Sequence, residues 1–239
     1  MNKIIIIGAG KTGRGYLARL LKESEKEICF VDKDAELVRK LQEKKHFFIH
    51  FFGKVREDFT IKDYSAVTWA DADFSDTSLL LISVGGTNLA EVGKELKEKL
   101  IAGHHYDIIT CENSSHPAQV LKDAIGEGLD ISVSESTVFC TTIETDGTEL
   151  DINSENYPYL QCNADLLPGF VSDMPGIRPL KEFGDFLTRK LYTYNAASCV
   201  LAYLGFVKGY TDYRDAGKDP EILEKLDRNY AVTNQVLCE

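Results

Sequence analysis

Lys3-Ile4-Ile5-Ile6-Ile7-Gly8-Ala9-Gly10-Lys11-Thr12-Gly13 is the stretch whose reading decides the fold. Lys3 to Ile7 reads as a short apolar strand, and the glycine turn follows it without a gap. A helical pattern then runs from Arg14 to about Ser24. A second strand, Ile28 to Val31, ends at Asp32. Strand, glycine turn, helix, strand and acid, in that order, form the dinucleotide-binding fingerprint. Gly8 permits the tight turn, Gly10 lets the backbone approach a pyrophosphate, and Gly13 lets the helix lie close on the strand. Free N–H groups and the helix dipole then face the phosphates. Lys11 and Thr12 complete the turn and join the three glycines as cofactor-binding candidates. Asp32 is placed to accept hydrogen bonds from both hydroxyls of an adenosine ribose. Its charge repels a ribose 2′-phosphate, so NAD is expected over NADP, a preference that the adjacent Lys33 softens.

Working outward, a chain of 239 residues can bury a real core and hold one large or two modest domains. The 27 basic and 38 acidic residues leave a net charge of −11, with no Lys/Arg-rich run. That balance argues against a nucleic-acid or anionic-membrane surface, and an anionic substrate would need a local basic pocket. The six cysteines show no C-x-x-C spacing and read as buried reduced thiols of a cytoplasmic protein. The five histidines form no ligand cluster with carboxylates, so no metal is expected. No signal peptide precedes the first strand, and no apolar run approaches a membrane span.

Alternation continues along the chain. Asp34 to Lys45 reads as an amphipathic helix, and His46 to Ile61 as a pair of strands turning at Gly53-Lys54. Leu79 to Val84 is a continuous apolar run ending in Gly85-Gly86, as suits a central parallel strand. Val84 and Gly85 are therefore read as passing close to the cofactor. Thr87 to Leu100 is helical, Tyr106 to Cys111 a strand, Pro117 to Ile125 a helix and Ile131 to Ser134 a strand. The expected fold is α/β, a Rossmann-type doubly wound, mostly parallel sheet. Short strands at Phe139–Ile143, Thr148–Ile152 and Tyr157–Gln161 are expected to extend it antiparallel. Pro179 is read as opening a long helical stretch to about Val207, with Leu180, Phe183, Leu187, Leu191, Leu201 and Leu204 as core. A last helix starts at Asp219-Pro220, an N-cap followed by proline at N1. The expected division is residues 1–177, a cofactor-binding domain, and 178–239, a small α-helical segment. Apolar surface at Ile222, Leu226 and Tyr230 points to self-association, a homo-oligomer through these helices.

Two segments carry a family resemblance: GAGKTGRGYLARLL (Gly8 to Leu21) and RKLYTYNAASCVLAYLG (Arg189 to Gly205). Both are similar to the mannitol-1-phosphate 5-dehydrogenase group of the polyol-specific long-chain dehydrogenase family. Cys111-Glu112-Asn113-Ser114 resembles a third motif of that family, on the loop after a central strand. The resemblance implies a lysine as general acid/base and two asparagines holding the reacting oxygen. Carried over residue by residue, the lysine is Lys190, the helical asparagine Asn195 and the loop asparagine Asn113. Ser198 stands where the family motif has histidine. The chemistry suits these types. Hydride transfer to a carbonyl carbon builds negative charge on its oxygen, which a proton-donating cation and amide donors stabilise. On an ideal helix Lys190, Asn195 and Ser198 fall within an arc of roughly 140°.

Two further departures are visible. An Asp-Arg-Ile-Val-Pro-like segment of the family is matched here by Val138 to Thr142, which lacks both the acid and the base. The family's helical substrate domain also runs on beyond the length of this chain. The expectation is an NAD-dependent oxidoreductase interconverting a polyol phosphate and a ketose phosphate, with mannitol 1-phosphate and fructose 6-phosphate as the leading pair. The alternative is an NAD(H)-binding relative without strong catalysis, acting as a sensor or partner subunit.

Overall fold

The computed structural model describes residues 3–53 and 57–238, so Lys54 of the expected Gly53-Lys54 turn lies outside the described residues. In chain order the strands are β1 (Lys3–Ile7), β2 (Glu27–Val31), β3 (His46–Phe51), β4 (Asp58–Lys62), β5 (Tyr64–Val67), β6 (Thr77–Ile82), β7 (Tyr106–Thr110), β8 (Ile131–Thr137), β9 (Thr142–Glu144), β10 (Ile152–Ser154), β11 (Leu160–Asn163) and β12 (Ile177–Leu180). The helices are α1 (Ala18–Lys22), α2 (Ala35–Lys44), α3 (Leu89–Lys99), α4 (Pro117–Ile125), α5 (Phe183–Lys190), α6 (Ala196–Val207), α7 (Tyr213–Ala216) and α8 (Pro220–Cys238). The chain divides into two compact units, Met1–Lys181 and Glu182–Glu239.

The first unit is built on an eight-stranded sheet in the order β12-β11-β8-β7-β6-β1-β2-β5. From β5 to β8 every neighbour is parallel. Alternation in β1 explains why so apolar a strand is needed. Ile4 and Ile6 enter one core with Leu17, Leu20 and Leu21, while Ile5 and Ile7 enter the other with Leu89, Val92 and Leu96. A strand covered on both faces reads as an unbroken apolar run, as Leu79 to Ile82 also does. α1 and α2 thus cover one face, and α3 and α4 the other, which is the doubly wound arrangement.

Two sequence expectations need correction. The segments around Phe139–Ile143 and Thr148–Ile152 do not extend the main sheet. As β9 and β10 they join β3 and β4 in a separate four-stranded sheet, Ile152 pairing with Ile49 and with Glu144. Burial decides this, because Leu150 and Ile152 share one core with Phe47, Ile49 and Ile61. Only the Tyr157–Gln161 segment extends the main sheet, where β11 lies antiparallel to β8. Pro179 does not open a helix. It sits in β12, opposite Cys162, on the edge of the sheet, where a residue without an N–H is tolerated. β12 pairs with β11 and lies in the first unit, which runs to Lys181.

The second unit comprises α5 to α8. Phe183 is buried, but Leu191, expected in the core, is 46% exposed while Lys190 is 5% exposed. Lys190 follows Phe183 by about two helical turns and shares its face of α5, whereas Leu191, which opens a π-helical turn over Leu191–Asn195, lies off that face. Asp219 caps α8 as expected, accepting from the N–H groups of Glu221 and Ile222. Ile222 and Leu226, read as exposed apolar surface, are buried. α6 packs on α8, and the exposed apolar side chains of this unit include Tyr203, Phe206, Val207, Val232 and Val236. Cys29, Cys111, Cys140 and Cys162 are buried thiols, whereas Cys199 and Cys238 are exposed. Among the described residues no helix is long and apolar enough to cross a membrane.

Candidate functional site

Strand order reverses at β1, whose neighbours are β2 on one side and β6 on the other. Crevices in open α/β sheets form outside the carboxyl ends of the strands at such a point. Backbone bonds draw the ends together there: Gly8 N–H donates to Val31 O at 2.8 Å and Ser83 N–H to Ile7 O at 2.8 Å. A cleft of about 690 Å³ opens over them. Gly8, Gly10, Lys11, Thr12, Asp32, Val84, Gly85 and Asn113, all expected at a site, line this one cleft. Gly13 does not line it. A Cβ there would lie 2.0 Å from Gly8 O, so this glycine serves the close packing of helix on turn.

The turn is held from both sides. Ala9 N–H donates to Asp32 Oδ2 at 2.6 Å, and the Arg14 guanidinium donates to Ala9 O. Arg14 is 3% exposed and also donates through Nε to Leu150 O at 3.2 Å, tying the turn to the four-stranded sheet. Burial lowers its pKa, with Glu144 and Asp32 opposing that shift. Asp34 N–H donates to Asp32 Oδ1 at 2.9 Å. Each Asp32 oxygen therefore accepts one backbone hydrogen and keeps a second lone pair for a ribose hydroxyl. A Cβ built on Gly10 meets no atom within 4 Å. Open space at that point, beside the first helical turn, is what a pyrophosphate requires, so the residues fit a dinucleotide.

Asn113 Nδ2 donates to Val138 O at 3.0 Å, and its Oδ1 accepts from Val138 N–H at 3.4 Å. The loop asparagine is thus a bridge from the end of β7 to the end of β8, at the start of the Val138–Thr142 stretch. Trp69 and Glu112 are among the lining residues that the sequence did not single out. Trp69, the single tryptophan of the chain, lies after β5, a strand the sequence did not announce. Glu112 was quoted only as part of a motif. Its Oε1 accepts from Val84 N–H at 2.6 Å and Gly85 N–H at 2.7 Å, and burial raises its pKa.

Lys190, Asn195 and Ser198 lie in the second unit, on the continuous stretch α5, π-turn and α6. Ala196 N–H bonds to Leu191 O, five residues back. A π-turn takes more residues per revolution than an α-helix, so Lys190 and Asn195 lie closer in azimuth than the ideal-helix arc implies. Thr193 Oγ donates to Arg189 O at 2.6 Å and packs beside the turn. Burial lowers the Lys190 pKa. Ser198 Oγ donates to Tyr194 O at 3.2 Å, so the hydroxyl hydrogen that replaces the family histidine is committed to its own helix.

Residues 2–143 match the mannitol dehydrogenase Rossmann domain family. A mannitol-1-phosphate 5-dehydrogenase of Caldanaerobacter subterraneus subsp. tengcongensis is 26% identical over 93% of this chain and 63% of its own length. One of Clostridium acetobutylicum is 28% identical over 99% of this chain and 67% of its own length. The chain thus spans about two thirds of the relatives it matches. Among solved structures, a D-mandelate dehydrogenase in complex with NADH superposes with a TM-score of 0.59 at 13% identity, covering 94% of this chain and 69% of that one. That likeness is one of fold.

Proposed function

The chain belongs to the mannitol dehydrogenase family, and from that premise we propose that it is an NAD-dependent oxidoreductase interconverting mannitol 1-phosphate and fructose 6-phosphate. The observation that carries the reading is the cleft at β1 and β6, with open space at Gly10 and the Asp32 carboxylate at the end of β2. The names of the relatives supply mannitol 1-phosphate, and oxidation of its C5 hydroxyl gives fructose 6-phosphate. Bound NADH supplies the hydride. Lys190, its pKa lowered by burial, gives a proton to the carbonyl oxygen as negative charge develops there. Asn195, on the same helical stretch as Lys190, donates a hydrogen bond to that oxygen. In the reverse direction neutral Lys190 takes the proton of the substrate hydroxyl. Ser198 contributes an acceptor only, since its hydrogen is engaged at Tyr194.

The direct test is loss of NADH absorbance with excess fructose 6-phosphate, with cofactor binding followed through quenching of Trp69. Turnover supports the reading. Binding without turnover on fructose 6-phosphate or other ketose phosphates overturns the catalytic part and leaves a cofactor-binding relative.

Coenzyme preference follows from Asp32. A 2′-phosphate beside this carboxylate is repelled, so NADH is expected to bind about a hundredfold more tightly than NADPH. Asp32→Ser removes the repulsion and also frees Ala9 N–H. The expected result is weaker NADH binding and a preference ratio reduced by about thirtyfold, measured by calorimetric titration of both cofactors. An unchanged ratio would remove Asp32 from the ribose site.

A further inference from the structure

Val84-Gly85-Gly86 leaves β6 at the cleft, and Glu112-Asn113-Ser114 leaves β7 beside it. The two loops interlock. Glu112 Oε1 takes the N–H groups of both Val84 and Gly85, at 2.6 and 2.7 Å. Asn88 Nδ2 donates to Val84 O at 2.6 Å, so the Val84 peptide is held at both ends. A Cβ on Gly86 would lie 2.6 Å from the Ser114 Cβ, which shows how closely the loops approach. Gly85 has φ +83° and is exposed at the mouth of the cleft.

Position gives this clamp its meaning. Asp32 beyond β2 marks the adenosine end, and the glycine turn after β1 marks the pyrophosphate. β6 lies on the opposite side of β1 from β2. A dinucleotide extended across the carboxyl edge of these strands puts its nicotinamide half over the end of β6. Resting on the cofactor reading above, we propose that Glu112 is a positioning residue for the nicotinamide half of the site, holding the Val84–Gly85 loop in the shape that receives it.

Removing the carboxylate costs folding little, because the Gly85 N–H is solvated once freed. It costs binding more, because the loop must then be ordered by the cofactor itself. The experiment is calorimetric titration of the wild-type protein, Glu112→Ala and Glu112→Gln with NADH and with ADP, alongside thermal melting. ADP reaches the adenosine site and the glycine turn but not the end of β6. For Glu112→Ala the expected result is NADH affinity reduced about tenfold, with ADP affinity unchanged. Glu112→Gln restores NADH binding to within about twofold, because an amide oxygen still accepts from both N–H groups. Equal losses for NADH and ADP, or no loss for NADH, overturn the inference while leaving the cofactor reading intact. A wild-type protein that binds ADP but not NADH overturns both.

Discussion

Replacing Lys190 by alanine is expected to lower the rate of NADH-dependent fructose 6-phosphate reduction by about a thousandfold, with NADH affinity unchanged. Such a loss in kcat at constant cofactor affinity is the signature of a group that acts in the transition state. Burial supplies the reason for choosing this lysine among many. Lys190 is 5% exposed, and desolvation lowers its pKa from lysine's ordinary 10.5. Reduction requires the protonated form, so its rate falls as pH rises through the lowered pKa. Polyol oxidation requires the neutral form and rises through the same window. Stability has its own sign. The folded state binds this proton less readily than the unfolded chain. The resulting cost is therefore fully present below the folded pKa and fades as pH climbs from there to 10.5. Lys190→Met keeps an apolar stem of similar length, removes the proton and is expected to lower turnover as far as Lys190→Ala does. A variant that keeps turnover, or one that loses activity only through a lower melting temperature, would take Lys190 out of the chemistry.

Gly8→Ala and Gly10→Val are expected to fail in opposite ways, although the two positions are one residue apart in the same turn. Gly8 has φ +97°, and a Cβ there would lie 2.0 Å from Ser83 O, which belongs to backbone and cannot give way. Strain and overlap together are expected to cost about 3 kcal/mol or more, seen as a lower melting temperature with or without cofactor. Gly10 has ordinary backbone angles, is exposed, and its Cβ would meet no atom within 4 Å. Gly10→Val is therefore expected to shift the melting temperature by no more than about 2 °C. The added side chain occupies the space reserved for the pyrophosphate, whose charge-assisted bonds to the turn are lost. An NADH affinity lower by about a hundredfold is the expected reading. Calorimetric titration and thermal melting of the two variants separate the outcomes. If Gly10→Val binds NADH as the wild type does, the cofactor does not lie on this turn.

Much of the candidate cleft was legible in the sequence because the fingerprint is local. The glycines, Asp32 and the apolar run at Leu79 to Ile82 each answer a constraint set by their immediate neighbours, and Gly8, Gly10, Asp32, Val84 and Gly85 all line the cleft. Residues recruited from a distance were not legible. Trp69 follows a strand, Tyr64–Val67, whose mixed sequence announces neither period, and Glu112 matters only because β6 and β7 are neighbours. Thr148 to Ile152 reads equally well as an outer strand of the main sheet or as a partner of β3. Burial of Leu150 and Ile152 beside Phe47 and Ile49 selects the second. Pro179 shows the same limit, since a proline fits the first turn of a helix and the edge of a sheet alike.

By itself, then, the amino-acid sequence determined the α/β alternation, the parallel sheet buried on both faces, the place of the dinucleotide turn and the cap of the last helix. These depend on periodicity and on backbone freedom over a few residues. Only the tertiary structure decided that a second sheet covers the turn through Arg14 and Leu150, that Glu112 clamps the end of β6, and that Lys190 rather than Leu191 joins Phe183 on the buried face. Each of these is a competition between distant segments for the same apolar cover or the same hydrogen-bond donors. The winner depends on which surfaces the completed fold brings together.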